Sequence, residues 1–142
     1  MRLSDLYEND LKSLEDVNLL KPILASVAQK VYMNWEQDET GYDEDLGEGG
    51  ICQDIADAMS SVMNDHGIDS MTVDNNGMGD QHVWIIIKIR EGVFNVDIPP
   101  ETYETGGGYT WKKRNNITIT PQDVYIDKLS DNPNEFDNYV DY

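Results

Sequence analysis

The hydrophobic pattern of the chain changes its period at Gly67. Before this glycine, apolar side chains recur every three or four residues, which is the spacing of one helix face. After it, apolar and polar side chains alternate, as they do on a strand with one buried face. Helices in the first half and strands in the second are typical of the α+β class. We therefore expect helices packed on a small antiparallel sheet.

Two helices are predicted in the first part of the chain, over residues 3–16 and 18–37. Pro22 falls in the first turn of the second helix, where proline is tolerated. The second helix carries an apolar stripe that would face the core, made of Leu20, Ile23, Leu24, Val27, Val31 and Trp35.

The third predicted helix carries the only cysteine of the chain. It follows residues 36–48, an acidic segment with two glycines that we expect to be an exposed loop. Gly67 would end the helix in the left-handed conformation, and His66 would complement the helix dipole in the last turn. We therefore interpret His66 as structural rather than catalytic. The apolar stripe of this helix consists of Ile51, Ile55, Ala58, Met59 and Val62.

Strands are predicted over residues 71–73, 82–89 and 93–98. Residues 117–120 and 124–126 would add one or two more, separated by Pro121. With 142 residues, the chain is long enough for one domain, which we expect over residues 1–129. Residues 130–142 are polar and acidic and are expected to form a loosely ordered tail.

The formal net charge of −18 disfavours binding to nucleic acids or anionic membranes, because the field of the protein repels polyanions. No run approaches the roughly 20 apolar residues that a membrane span needs, and the first residues do not resemble a secretory signal. A single cysteine cannot form an internal disulfide. We therefore expect a soluble, cytoplasmic protein.

Metal and cofactor sites are not expected. Two histidines and one cysteine do not make a zinc site, and the acidic run at residues 43–45 lacks the spaced ligands of a calcium loop. The glycine-rich segments at residues 47–50 and 106–108 lack the context of a phosphate-binding loop.

Cys52 stands near the start of the third predicted helix, behind Gly49 and Gly50. A helix start presents unpaired N–H groups and about half a positive charge, which favour a thiolate over a thiol. Cys52 is therefore placed as a nucleophile, although a lone cysteine is otherwise usually a small buried hydrophobic residue. The two glycines would let a substrate carbonyl approach the thiol closely.

Strand alternation brings a histidine and a carboxylate to one face of a hairpin. His82 and Trp84 share a face of the first strand, opposite its row of isoleucines. Matching the apolar side chains of the second strand to that row places Asp97 on the same face as His82. A histidine at one strand start and an aspartate at the next strand end therefore complete a possible Cys52–His82–Asp97 triad.

The register of this hairpin decides whether the two side chains meet. A loop at residues 89–90 places Asp97 directly across from His82. A tight turn at residues 91–92 places Asp97 across from Ile86, which at about 3.3 Å per residue is too far from His82. We expect the first register, with a wider loop or a bulge where the strands turn.

In such a triad, His82 takes the thiol proton and Asp97 fixes the imidazole tautomer, so that the thiolate of Cys52 can attack a carbonyl carbon. The backbone N–H of Cys52 and one side-chain donor would hold the oxyanion. The candidates for this donor are Gln37, Trp35 and Gln53, and the sequence does not choose among them.

Three segments, GGICQDIADAMSSVMNDHGID, QHVWIIIKI and VFNVDIPP, resemble the transglutaminase-like branch of the papain-like superfamily. The shared features are a G-x-C helix that ends in glycine, a strand that opens with H-x-W and a strand that ends in D-x-P, all within residues 49–100. The resemblance implies an α+β fold, acyl transfer from amide or ester substrates, and Cys52, His82 and Asp97 as nucleophile, base and orienting residue. The chain lacks the large flanking domains of cross-linking enzymes, which favours peptidase, amidase or deamidase action.

Residues 101–113 lie outside the shared core. Their three glycines could form a flap over the cleft, or they could be an ordinary connector whose aromatic side chains pack on the sheet edge. The residues expected to line a substrate cleft are Gly50, Trp84, Tyr103, Tyr109 and Trp111.

Two functions remain open from the sequence. The first is a small thiol hydrolase or acyltransferase, without a cofactor, that acts on a peptide or protein and prefers cationic substrates if residues 36–48 border the cleft. The second is a non-catalytic acidic binding protein on the same fold, such as a polyanion-mimicking inhibitor or a chaperone-like partner.

Overall fold

The computed structural model describes residues 11–36, 50–75, 82–106 and 112–139. In these ranges, helices α1 (Leu14–Leu19), α2 (Lys21–Asn34) and α3 (Gly50–Asp65) precede a four-stranded antiparallel sheet. The sheet has the order β1-β2-β3-β6 and confirms the predicted α+β class. Its strands are β1 (Asp69–Asp74), β2 (Val83–Ile89), β3 (Gly92–Asp97) and β6 (Tyr125–Ser130).

Shorter elements connect and cover this sheet. Strands β4 (Glu104–Thr105) and β5 (Lys112–Lys113) form a separate two-stranded sheet. Three 3₁₀-helices in the described ranges span Pro100–Thr102, Pro121–Asp123 and Pro133–Asn138.

Within the described residues, helices α1 and α2 have different bounds from the predicted helices. The Ser13 hydroxyl accepts a bond from the Asp16 N–H, and the Asp16 carboxylate accepts one from the Ser13 N–H, so this capping box starts α1 at Leu14. Residues 3–10 of the predicted first helix lie outside the described ranges, and residues 11–13 are not helical. Helix α2 spans Lys21–Asn34 instead of residues 18–37, with Pro22 in its first turn as predicted.

Helix α3 ends as its sequence predicts. Gly67 has a φ of +75°, which is the left-handed conformation of a helix end. His66 Nδ1 lies 2.9 Å from the Val62 carbonyl oxygen, so the ring satisfies an acceptor in the last turn of the helix. This bond agrees with the structural interpretation of His66.

The β2–β3 hairpin has a register that differs from both predicted ones. Ile89 pairs with Gly92, so residues 90–91 form a two-residue turn, and the predicted wider loop or bulge is wrong. Gly92 has a φ of +140°, and a Cβ atom there would lie 1.9 Å from the Ser130 carbonyl oxygen. Only glycine allows the chain to turn this tightly against β6.

The two faces of the main sheet have different covers. Helix α3 covers one face and α2 packs on α3, and on this face Ile85, Ile87 and Val96 belong to the larger core cluster. On the other face, Phe136 packs with Ile86 and Val93 in a smaller cluster. The described part of the predicted tail, residues 130–139, packs on the domain, because its 3₁₀-helix covers the second face of the sheet.

Residues 117–120 do not form the predicted strand. The side-chain amide of Gln29 on α2 donates to the Ile117 carbonyl oxygen at 3.4 Å and accepts from the Ile119 N–H at 2.7 Å. A helix side chain thus takes the place of a neighbouring strand for this extended segment. Residues 125–126 of the predicted strand over residues 124–126 belong to β6, whereas Val124 caps the preceding 3₁₀-helix.

Candidate functional site

A histidine and an aspartate are hydrogen-bonded at one end of the β2–β3 hairpin. His82 Nε2 lies 2.8 Å from Asp97 Oδ2, and the two side chains are 17% and 23% exposed. Because a carboxylate only accepts, Nε2 carries the proton of this bond. The predicted contact between these two side chains is confirmed, although by a different register from the one expected.

The second ring nitrogen of His82, Nδ1, is buried. It has no hydrogen-bond partner among the residues that the structure describes. With the proton on Nε2, Nδ1 of the neutral ring carries a lone pair and can accept a proton. Unsatisfied buried polar atoms are uncommon in folded proteins and often mark a functional role. Asp97 therefore favours the tautomer in which Nδ1 carries the lone pair.

Trp84 lies beside the imidazole on the same face of the sheet. The two rings are stacked, with centroids 5.6 Å apart and an interplanar angle of 23°. The indole Nε1–H of Trp84 donates to Asn95 Oδ1 at 2.8 Å. Asn95 was not among the predicted site residues, although the same alternation that pairs His82 with Asp97 places it two residues before Asp97.

Cys52 is the third residue of α3 and is buried, with 5% of its surface exposed. Further along the helix, Ser60 Oγ lies 2.5 Å from Ser70 Oγ near the start of β1, which fixes the level of the helix against the sheet. Cys52 lies eight residues before Ser60, or about 12 Å along the helix axis.

A similar distance along β1 separates Ser70 from the last residue of that strand. Asp74 lies four residues after Ser70, or about 13 Å along the strand, and it pairs with Val83 at the start of β2. Helix α3 packs against both β1 and β2, so an antiparallel alignment of α3 with β1 would put Cys52 near the start of β2. His82 immediately precedes that start.

The thiol and the imidazole approach this end from different sides of the sheet. Cys52 belongs to the larger core cluster together with Val83, whereas Asp97 alternates with the core residues Val96 and Ile98 and lies on the other face. His82 precedes the first paired residue of β2, where the pleat no longer fixes its direction. No hydrogen bond joins His82 Nδ1 to Cys52 or to any other described residue.

The three oxyanion candidates have separate locations. Gln53 follows Cys52 on α3 and is partly exposed. Trp35 caps the end of α2, where its carbonyl oxygen accepts from Lys113 Nζ at 3.3 Å. The same ammonium lies 5.9 Å from the Trp35 ring centroid and 4.6 Å from that of Tyr32, which ties β5 to the end of α2. Gln37 lies outside the described residues.

Of the five predicted cleft residues, two lie outside the described residues and one is buried in the core. Trp84 is half-buried beside His82, and Gly50 is the first residue of α3. Tyr103 is fully buried in the larger core cluster, so the expectation that it lines an open cleft is wrong. Tyr109 and Trp111, like the acidic run at residues 43–45, lie outside the described residues.

Neither a metal centre nor a membrane span is found in the described ranges. No group of three or more His, Cys, Asp or Glu side chains there could hold a metal ion. No helix in those ranges is both long and apolar enough to cross a membrane. Comparison of the chain with protein-family models, with curated proteins and with solved structures gives no match.

Proposed function

We propose that this protein is a small thiol hydrolase or acyltransferase of the transglutaminase-like branch of the papain-like superfamily. Cys52 is the nucleophile, His82 the base and Asp97 the orienting residue. The observation that carries the proposal is the bond from His82 Nε2 to Asp97, which leaves the buried Nδ1 without a described partner. A histidine held in this way is prepared to take a proton from a thiol.

The reaction begins when His82 Nδ1 takes the proton of the Cys52 thiol. The thiolate attacks the carbonyl carbon of an amide, and the tetrahedral intermediate collapses when the C–N bond breaks. The imidazolium gives its proton to the departing amine, which leaves a thioester on Cys52. Water then attacks the thioester in hydrolysis, or a second amine attacks it in acyl transfer, and either step regenerates the thiol.

Proton transfer requires Nδ1 and the thiol to come within hydrogen-bond reach. Catalytic hydrogen bonds are often long in sites without substrate and shorten in the complex. Helix α3, which carries Cys52, packs against β2, whose first residue directly follows His82, and this packing supports such an approach. A backbone N–H at the start of α3 and the Gln53 or Trp35 side chain are the proposed oxyanion donors.

The proposed substrate is a peptide or protein amide, with a preference for cationic substrates. The net charge of −18 supports this preference, because the field of the protein attracts cations and repels polyanions. The cytoplasm keeps thiols reduced, which supports the proposal that the protein acts there.

The rate at which iodoacetamide alkylates Cys52 near neutral pH tests the proposal. Because the chain has two histidines, His82→Ala can be compared with a matched control, His66→Ala. We expect the wild type and His66→Ala to react at the same fast rate, and His82→Ala to react much more slowly. A slow wild-type reaction that is insensitive to His82 would refute the proposal and would favour the acidic binding protein instead.

A further inference from the structure

We propose that Asn95 is a positioning residue for His82 and acts through the indole of Trp84. This inference rests on the proposed function, because it concerns the direction in which the base of that site points. It adds a second set of contacts, outside the triad, that holds the imidazole.

The bond to Asp97 alone does not fix the imidazole. It holds Nε2 at 2.8 Å from Oδ2, but the ring can still tilt about this single point. The side-chain torsion that turns a histidine ring has a broad energy profile, so the ring plane needs a further contact. The Trp84 indole supplies that contact, because it stacks on the imidazole at an angle of 23°.

The indole is itself held in place from the neighbouring strand. Its Nε1–H donates to Asn95 Oδ1 at 2.8 Å, which fixes the rotation of the indole about its own side-chain torsions. Asn95 lies between Phe94 and Val96, both of which belong to the larger core cluster. The backbone that carries the acceptor is therefore anchored on the core side.

The two hydrogen bonds repeat the same geometric relationship. His82 and Trp84 are two residues apart on one chain segment, and Asn95 and Asp97 are two residues apart on β3. In this register each bond joins diagonal rather than directly opposite positions of the β2–β3 pair. A change in the Asn95 bond therefore reaches His82 through one intervening ring.

A double-mutant cycle measures this coupling. Asn95→Ala removes the acceptor, Trp84→Phe removes the donor but keeps a ring, and the double variant removes both. The first readout is the ¹⁵N spectrum of His82, which reports the tautomer without depending on catalysis. The second readout is the rate at which iodoacetamide alkylates Cys52.

For Asn95→Ala we expect the imidazole to tilt away from Asp97, so that the weakened bond no longer holds the single Nε2–H tautomer and a mixture appears. The alkylation rate should fall roughly tenfold, since misorientation of a reacting group is costly. In the Trp84→Phe background, Asn95→Ala should have no further effect. Asn95→Asp keeps an acceptor for the indole and should restore the tautomer. Asp127→Ala, which changes an exposed side chain directly across from Asn95 on β6, should leave both readouts unchanged.

The two proposals fail in different ways. The positioning role of Asn95 would be overturned if Asn95→Ala left the His82 tautomer unchanged, or if the effects of Asn95→Ala and Trp84→Phe simply added. In that case, fast alkylation of Cys52 that depends on His82 would still uphold the proposed function. Slow alkylation of the wild type that does not depend on His82 would overturn the proposed function itself, whatever the tautomer.

Discussion

His82 Nε2 donates to Asp97 Oδ2 over 2.8 Å, although the two residues are not directly opposite each other in the sheet. Ile85 pairs with Val96, so one further step of the ladder sets Asp97 across from Trp84. The imidazole therefore reaches its partner along a diagonal, which long and aromatic side chains can span. The position directly opposite Asp97 is occupied by Trp84, whose ring stacks on His82.

Asp97→Asn should slow the reaction of Cys52 with iodoacetamide roughly 100-fold near neutral pH. An amide can donate to Nε2, and that bond would favour the tautomer with its proton on Nδ1, where the thiol proton must go. Asp127→Asn makes the same change of charge on the same sheet and is the matched control. Equal alkylation rates for the two variants would contradict the role given to Asp97.

Gly92→Ala should destabilise the protein by about 3 kcal/mol, measured as the free energy of unfolding in urea. The added Cβ would meet the Ser130 carbonyl oxygen at 1.9 Å, and the φ of +140° strains any other residue. Gly67→Ala is the control, because its Cβ would meet only the Lys12 Cε at 3.8 Å and should cost about 1 kcal/mol. Equal costs would mean that the turn does not approach β6 so closely.

Phe136→Ala should reduce the free energy of unfolding by about 3 kcal/mol, because it empties the smaller core cluster on the second face of the sheet. Leu129→Ala, at a side chain that is 42% exposed, should cost much less. A negligible effect of Phe136→Ala would show that residues 133–138 are not part of the folded domain.

Asp16 should make the stability of the protein depend on pH in the acid range. Its bond from the Ser13 backbone N–H, followed by the bond from the Ser13 hydroxyl, holds the pKa of Asp16 below its ordinary value of 3.8. A lowered pKa in the folded state means that this stabilisation is present above pH 3.8 and is lost as the pH falls through the lower value.

Urea unfolding of the wild type and Asp16→Asn across this pH range measures the contribution. The wild type should be the more stable above pH 3.8, and the difference should shrink at lower pH. Glu15→Gln, an exposed neighbour in the same turn, serves as the control for a lost charge. A wild-type advantage that grows with acid would contradict the cause assigned to the pKa.

The sequence predicts the elements that depend on local patterns. The stripe of α3 and the left-handed Gly67 follow from spacing and from glycine alone, and strand alternation is sufficient to bring His82 and Asp97 to one face. The same alternation places Asn95 on that face, but an asparagine in a strand does not by itself indicate a functional role. Only the bond from the Trp84 indole connects Asn95 to the site.

Features that depend on distant parts of the chain were not predictable. The register of the hairpin depends on its turn, which contacts residues that are distant in sequence. The Leu14 N–H donates to the Glu91 side chain, and an Arg90 guanidinium N–H donates to the Leu11 carbonyl oxygen. The extended segment at residues 117–120 looks like a strand because its apolar residues alternate, yet it bonds to the Gln29 side chain on α2. Phe136 lies in an acidic C-terminal region with little hydrophobic periodicity, so its packing against the sheet could not be inferred from the sequence.

Formation of a thioester on Cys52 is the step that separates an enzyme from a binding protein on the same fold. Intact-mass spectrometry after mixing the protein with the activated ester p-nitrophenyl acetate detects that step directly. We predict one acetyl group on Cys52 in the wild type and in His66→Ala, and a strongly reduced amount in His82→Ala at the same time point. Acetylation that is absent from Cys52, or that proceeds equally in His82→Ala, would contradict the proposed chemistry.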